Sequence, residues 1–190
     1  MIRRTFLALA AAAGLAGAAW GQGKDPVLVI EVSGAHPGTV EIQLMPEVAP
    51  KHVAQIEALA KSGAYDGVAF HRVIDGFMAQ TGDVKYGTKA AFSQGLAGTG
   101  GSDLPDLPAE FSNVPFEKGT VGMARSADPN SANSQFFIMF APAPHLNGQY
   151  TVVGKVIAGQ DVVDAIKRGD GANGEVSAPD WMEKVTVKGG

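Results

Sequence analysis

Phe70-His71-Arg72-Val73-Ile74-Asp75-Gly76-Phe77-Met78-Ala79-Gln80-Thr81-Gly82-Asp83 is the stretch of the sequence that says most about the fold. Two short apolar runs, residues 68–74 and 77–80, are separated by turn residues and predict two strands. Alternation of side chains along the first run puts Arg72 on the same face as Phe70 and Ile74. A guanidinium on an apolar face is costly unless it is solvated or paired. Arg72 therefore either lines a groove or lies on an exposed strand edge.

Further short runs of apolar residues on both sides of this stretch predict more strands and two helices. The helices are expected at residues 50–62 and 161–168, where apolar residues recur at helical spacing and a glycine follows each segment. Because a helix does not follow each strand, a parallel α/β sheet is disfavoured, and we predict a mainly β barrel or sandwich. The remaining strands are expected at residues 27–32, 39–44, 120–125, 135–140, 150–157 and 185–187.

The run over residues 135–140 mixes polar and aromatic residues. Period-two alternation puts Gln135, Phe137 and Met139 on one face. They are either core side chains with one polar residue at the edge or part of a groove. Residues 91–118 are rich in glycine and proline and predict a long surface loop, and long loops of compact domains often form the walls of functional grooves.

Composition excludes several classes of function. The chain has 190 residues, which suits one domain with a short appendage, and its net charge of −4 leaves no basic surface for nucleic acid. With no cysteine there is neither a thiolate nucleophile nor a Cys-ligated metal. The four histidines lack metal-site spacing, so we expect no metal, and the absence of a G-x-S-x-G motif argues against a serine hydrolase. Glycines 95, 98, 100 and 101 fit a flexible loop better than a phosphate site.

The N-terminus has the pattern of a secretory signal. Arg3 and Arg4 precede about fourteen apolar or small residues at positions 6–19, which is too short a run to span a bilayer. We predict a signal peptide over residues 1–22 and a functional domain over residues 23–190. The protein is then expected to be exported to the periplasm, and its mature part is not expected to insert into a membrane. Two arginines also occur in twin-arginine signals, so the export route stays open.

The residues quoted at the start resemble the signature of the cyclophilin-type peptidyl-prolyl cis/trans isomerases, F-H-R-[IV]-I-x-G-F-M-x-Q-x-G-D, at every defined position. The similarity runs from about residue 27 to 187 and is typical of the bacterial, exported type. It implies a closed eight-stranded antiparallel β-barrel capped by two α-helices. Other segments follow the order and spacing of the same family: Gly122-Met123-Ala124, Asn133-Ser134-Gln135-Phe136-Phe137-Ile138, Leu146-Asn147-Gly148 and Val153-Gly154.

The resemblance also implies roles for individual residues. Arg72 is the expected catalytic residue, and no cofactor or metal is implied. Two positions depart from common family members: His145 stands where cyclosporin-sensitive members have Trp, and Tyr150 stands where many have a pocket His. Arg125 replaces an Asn of many eukaryotic members. The expected substrate-binding residues are Phe77, Met78, Gln80, Ala124, Arg125, Gln135, Phe137, His145, Leu146 and Tyr150.

Two functions remain open at this point. The first is an isomerase that accelerates rotation about X-Pro bonds and assists the folding of exported proteins. The second is a non-catalytic proline-peptide-binding module, or a holdase chaperone, on the same barrel. In both, the partners are unfolded or flexible polypeptides that contain proline, and a monomer is sufficient.

Overall fold

The computed structural model describes residues 25–93, 95–171 and 173–189. The predicted signal peptide over residues 1–22 lies outside them. Among the described residues, no helix is both long enough and apolar enough to cross a membrane.

The fold is mainly β, as the alternating runs predict. One antiparallel sheet has the strand order β3-β9-β1-β2-β8-β6-β7-β5-β4. The long hairpin of β1 and β2 is its most regular part, with Leu28 opposite Ile42 and Ile30 opposite Val40. The strands of the described residues are β1 (Val27–Ser33), β2 (Gly38–Leu44), β3 (Val68–Ala69), β4 (Arg72–Ile74), β5 (Met78–Thr81), β6 (Thr120–Met123), β7 (Phe136–Met139), β8 (Val152–Ala158) and β9 (Trp181–Lys188).

The expected closed barrel of eight strands is not what the structure shows. The strongly curled sheet has nine strands in the described residues and is open between β3 and β4. The single strand expected over residues 68–74 is divided, because Phe70 and His71 carry the chain from one edge of the sheet to the other. The two edge strands are therefore neighbours in sequence without forming a ladder with each other.

Loops of the same chain cover both edges of the sheet. Beside β3, Ala69 N–H donates to the carbonyl of Gly87 and Lys89 N–H donates to the carbonyl of Gly67. Beside β4, Val73 N–H donates to the carbonyl of Gly174, and the Val73 carbonyl accepts from Gly169 N–H. These bonds satisfy backbone groups that an uncovered edge would expose.

Two helices and the long loop complete the fold. Helix α1 spans Pro50–Lys61 with a proline in its first turn, and helix α2 spans Gln160–Ala165, ending earlier than its sequence pattern predicts. In residues 95–118 of the predicted loop, the structure has no helix and no strand beyond an isolated bridge at Leu107. The loop is anchored to α1, because the Glu110 carboxylate accepts the backbone N–H groups of Lys51 and His52.

Alternation along the central strands builds a core on each face of the sheet. On β7, Phe136 and Ile138 join the large cluster with α1, whereas Phe137 and Met139 join a smaller cluster on the opposite face. Every residue of β7 is thus buried. The smaller cluster contains the predicted site residues Met78, Phe137 and Leu146.

Candidate active site

The register of the sheet lines up four residues on the face of the smaller cluster. Arg72 lies directly opposite Gln80, Gln80 opposite Phe137, and Phe137 opposite Gly122. Residues that are directly opposite in antiparallel strands share a face. A row across β4, β5, β7 and β6 therefore carries a guanidinium, an amide, an aromatic ring and a gap for that ring.

A cavity of about 100 Å³ opens beside this row and has room for a small ring. Its walls combine an apolar floor with charged and amide groups at one side, an arrangement typical of ligand pockets. It brings together residues that are far apart in the chain: Arg72, Phe77, Met78, Gln80, Arg125, Phe137, Leu146 and Tyr150.

Two hydrogen bonds hold Arg72 in place. Its Nε donates to the carbonyl of Asn173 over 2.9 Å, and its Nη1 donates to Oε1 of Gln80 over 3.1 Å. A guanidinium has five N–H groups, so these bonds leave others to face the cavity. Among the described residues Arg72 has no carboxylate within ion-pair distance. Arg72 therefore lines a groove, which decides between the two placements that its strand pattern left open.

The ring of Phe137 is fixed from three sides. It stacks on Phe116 at a centroid distance of 5.7 Å and meets Tyr150 edge to face at 5.7 Å. On the adjacent strand, a Cβ at Gly122 would lie 2.6 Å from both the Phe116 and the Phe137 rings. Only a residue without a side chain allows this packing, so Gly122 and Phe116 determine where the floor of the cavity lies.

A second cavity of about 300 Å³ adjoins the first, with Gln80 and Arg125 in the wall of both. It is lined by Ala124 and Gln135 and by the loop around Gly98. The Arg125 guanidinium lies 4.4 Å above the centroid of the Tyr150 ring, and it donates to the carbonyls of Ser126 and Gln149. Arg125 thus joins the walls of the two cavities.

His145 lies outside the linings of both cavities. It is exposed on a single 3-10 turn over Pro144–Leu146 and stacks on Phe77 at a centroid distance of 5.8 Å. The structure therefore places it at the rim, one layer outside the other predicted site residues.

His71, next to Arg72 in sequence, is buried and lies close to Gly98, which lines the second cavity. Burial lowers the pKa of its imidazole to about 4, with the nearby Asp83 carboxylate opposing and the Arg72 charge reinforcing this effect. The ring is therefore neutral at neutral pH, and Arg72 is the cation at this position of the groove.

Sequence reasoning missed three contributors to the site. Asn173 supports Arg72 through its backbone carbonyl, which no side-chain pattern signals. Phe116 lies in the irregular loop, where periodicity carries no information. Gly122 was visible as a glycine inside an apolar strand, a pattern that often marks the close approach of other groups.

Comparisons with known proteins agree with this architecture. The family model described as cyclophilin type peptidyl-prolyl cis-trans isomerase matches residues 27–187. The chain therefore belongs to the cyclophilin-type peptidyl-prolyl cis-trans isomerases, and its activity is the isomerisation of peptidyl-prolyl bonds.

Curated relatives support the same assignment, and solved structures share the fold. A probable peptidyl-prolyl cis-trans isomerase of Brucella suis is 64% identical over 153 residues, covering 80% of this chain and 78% of the relative. Peptidyl-prolyl cis-trans isomerase B of Bacillus subtilis is 42% identical over 133 residues, covering 69% of this chain and 85% of the relative. A crystal structure of a Hirschia baltica cyclophilin has a TM-score of 0.70 at 28% identity, covering 86% and 74% of the two chains. A Cryptosporidium parvum cyclophilin, crystallised in the presence of the dipeptide Ala-Pro, has a TM-score of 0.71 at 24% identity, covering 86% and 99%.

Proposed function

We propose that Arg72 is the catalytic residue of this isomerase and that the cavity beside it takes the proline ring of the substrate. The observation that carries this proposal is the guanidinium held by Asn173 and Gln80 at the wall of an apolar cavity, with N–H groups left over. Phe77, Met78, Phe137 and Leu146 form the apolar surface, and Tyr150 adds a ring with a polar tip. Gln80, Ala124, Arg125 and Gln135 line the path of the peptide, and His145 contacts it at the rim.

The chemistry needs no bond to the protein. Rotation about an X-Pro bond is slow because it breaks amide resonance, with a barrier of about 18–20 kcal/mol. In the twisted amide the proline nitrogen becomes pyramidal and gains a lone pair that can accept a hydrogen bond. Arg72 donates to this nitrogen, which accepts poorly in the planar ground state, so the interaction stabilises the transition state selectively. The apolar surroundings strengthen the charged hydrogen bond.

The rate gain has to come from more than this one bond. A hundred-thousandfold acceleration needs about 7 kcal/mol, and one charged donor supplies about 2–4 kcal/mol by analogy with oxyanion donors. Binding of a twisted peptide along the two cavities supplies the remainder. Peptide contacts beyond the proline therefore raise kcat as well as affinity.

For the cellular role we propose an exported foldase. The charged start and short apolar run of residues 1–19 are typical of a secretory signal, and a chain without cysteine has no thiols to mispair in an oxidising compartment. Its substrates there are unfolded or flexible polypeptides with X-Pro bonds, and one copy carries a complete site. Cell fractionation followed by mass spectrometry of the N-terminus checks this, and an N-terminus at Met1 together with a cytoplasmic location contradicts it.

A protease-coupled isomerisation assay tests the catalytic assignment. We expect Arg72→Ala to lower kcat/KM for an Ala-Pro peptide by more than about a hundredfold, which corresponds to about 2.7 kcal/mol. Arg168→Ala is the matched control, because this arginine pairs with Asp75 and does not line either cavity. An Arg72→Ala variant that is as active as the wild type removes Arg72 from the mechanism.

The same two variants address the alternative of a holdase. If client binding is the function and turnover is incidental, suppression of the aggregation of an unfolded client survives in Arg72→Ala. If catalysis is the function, Arg72→Ala fails to accelerate the proline-limited refolding of a client, although the affinity of this variant for the refolded client is unchanged. Refolding followed in the presence of each variant separates these outcomes.

A further inference from the structure

Asp83 is a fully buried carboxylate with an unusual set of partners. Its Oδ1 accepts the backbone N–H groups of Lys85 at 3.0 Å and Tyr86 at 2.9 Å. Its Oδ2 accepts those of Gly98 at 2.7 Å and Gly100 at 2.9 Å. Among the described residues it forms no ion pair. Burying a charge is costly, so four converging N–H donors indicate a built site that holds two backbone segments together.

The loop that Asp83 holds also binds the side chain of Gln135. The carbonyls of Gly98 and Gly100 both accept from Nε2 of Gln135, at 2.9 and 2.7 Å. The same two residues thus give their N–H groups to Asp83 and their carbonyls to Gln135. Both N–H groups of the Gln135 amide are used, which leaves its oxygen pointing toward Gln80.

From Gln135 the hydrogen bonds continue to Arg72. Nε2 of Gln80 donates to Oε1 of Gln135 over 2.9 Å, and Nη1 of Arg72 donates to Oε1 of Gln80 over 3.1 Å. Because the Gln135 amide donates to the two loop carbonyls, its oxygen is left to accept from Gln80, and the Gln80 oxygen in turn accepts from Arg72. The chain runs from Asp83 through the loop, Gln135 and Gln80 to the guanidinium.

The loop packs closely against its neighbours. A Cβ at Gly98, whose φ is +96°, would lie 3.0 Å from the His71 ring, and a Cβ at Gly100 would lie 2.5 Å from Oδ1 of Asp83. The loop is therefore in direct contact with the groups that it connects. A shift of the loop moves its carbonyls, and with them the amide of Gln135.

We propose that Asp83 is a positioning residue for the isomerase reaction, which acts through residues 98–100, Gln135 and Gln80 to aim the guanidinium of Arg72. The proposal rests on the assignment of Arg72 as the catalytic residue. Because Arg72 acts mainly on the twisted amide, a misaimed guanidinium weakens transition-state binding more than substrate binding. Replacement of Asp83 is therefore expected to lower kcat and to leave KM unchanged.

Asp83→Asn tests the proposal with almost no change in shape. An amide at this position turns an NH2 group toward backbone N–H donors and releases one side of the loop. We expect kcat to fall about ten- to hundredfold, as small misplacements do, with KM nearly unchanged. The NMR resonances of Arg72 Nε–H and of the Gln80 and Gln135 side-chain amides are expected to move.

Asp180→Asn is the matched control. Asp180 is also a buried carboxylate that ties two segments by accepting backbone N–H groups, from Ala35 at 3.1 Å and Lys167 at 2.8 Å, but it lies outside both cavities. Asp180→Asn is expected to lose stability while keeping kcat and the Arg72 resonance. Equal kcat values for the folded Asp83→Asn and Asp180→Asn proteins overturn the proposal.

A second variant covers the case in which Asp83→Asn does not fold. Gly100→Ala keeps the carboxylate and pushes on it with one methyl group, so we expect a smaller loss of kcat with the same unchanged KM. A folded Gly100→Ala protein with wild-type kcat and an unmoved Arg72 resonance overturns the proposal. Arg72→Ala is measured in parallel. If Arg72→Ala is fully active, the assignment of Arg72 as the catalytic residue fails. If Arg72→Ala is inactive and Asp83→Asn has normal kcat, only the positioning role of Asp83 is removed.

Discussion

At the scale of single residues, the site depends on how Arg72 is held. The planar guanidinium gives one N–H to Asn173 and another to Gln80, and it has further N–H groups at the wall of the cavity. A lysine at this position carries the same charge but has a single ammonium group that cannot make these bonds in fixed directions. Charge alone therefore does not reproduce the geometry.

Arg72→Lys is expected to lower kcat/KM about a hundredfold, which corresponds to about 2.7 kcal/mol of transition-state stabilisation. The measurement is the protease-coupled assay with an Ala-Pro peptide. Arg168→Lys, which changes an arginine outside both cavities, is expected to retain wild-type kcat/KM. An Arg72→Lys protein with near-normal activity shows that charge suffices.

His71 is predicted to make the stability of the protein depend on pH. Burial lowers the pKa of its imidazole to about 4, whereas the unfolded chain takes up this proton near pH 6.5. The contribution of the neutral ring is complete above about pH 6.5 and is lost as the pH falls toward 4. Over this range the free energy of unfolding is expected to fall by up to about 1.4 kcal/mol per pH unit.

Urea denaturation between pH 4.5 and 7.5 measures this slope. His71→Gln is expected to flatten it, since the variant has no imidazole to protonate. His36→Gln, which alters an exposed histidine, is the control and is expected to keep the wild-type slope. If His71→Gln has the same slope as the wild type, a different group causes the pH dependence.

At the scale of the elements, the long loop stabilises α1 from outside the helix. The residue before α1 makes no side-chain cap, and the Glu110 carboxylate takes over this role for the N–H groups of Lys51 and His52. It also lies 2.6 Å from Nδ1 of the buried His52. Burial alone raises the pKa of Glu110, but hydrogen bonds from the His52 ring and from both backbone N–H groups lower it overall.

Glu110→Ala is expected to destabilise the protein by about 2 kcal/mol, because it removes a helix cap and leaves a buried imidazole nitrogen without its partner. The measurement is urea denaturation at pH 7. Glu117→Ala in the same loop is the control: Glu117 is exposed, and we expect a change of less than about 0.5 kcal/mol. Equal stabilities of the two variants contradict the capping role of Glu110.

The elements also show how far local pattern predicts structure. The period-two rule correctly separated Phe137 and Met139 from Phe136 and Ile138, because neighbouring side chains on a strand must point to opposite faces. The same rule treated residues 68–74 as one strand, since nothing in the apolar run marks the point where the chain leaves one sheet edge for the other. The predicted site residues line the two cavities, except His145, which lies at the rim. Their catalytic and binding roles stay predictions until the variants are assayed.

Contacts between distant segments were beyond the reach of the sequence. Glu110 and His52 are 58 positions apart, and Arg72 and Asn173 are 101 positions apart. A hydrogen bond between a loop and a helix leaves no periodic signal at either end. The same holds for the closure of a sheet, which depends on where the two edges meet in space, and the closed eight-stranded barrel that the family resemblance implied is not confirmed.

At the scale of the whole molecule, the two clusters share their strands. Strands β5, β7 and β8 each contribute neighbouring residues to the two clusters. Neither cluster can therefore lose its packing while the other keeps an intact sheet. The site and the main core are expected to unfold together.

One cooperative transition is therefore expected in urea. Far-UV circular dichroism, residual isomerase activity and the fluorescence of Trp181 are expected to give coincident curves. Trp20 lies in the predicted signal peptide, and in a protein that keeps residues 1–22 the variant Trp20→Phe removes this second tryptophan. The variant must first match the wild type in activity. Loss of activity well before loss of circular dichroism contradicts the coupling of the two clusters.

The loops that cover both edges of the sheet affect how other polypeptides can bind to this protein. Unfolded chains offer unpaired backbone groups, and an open strand recruits them by adding another strand, which is how aggregates grow. Here the bonds of Ala69, Lys89 and Val73 already occupy those positions. For the unfolded polypeptides that we propose as substrates, the groove is consequently the place left for binding, and the isomerase is expected to bind them without becoming a template for their aggregation.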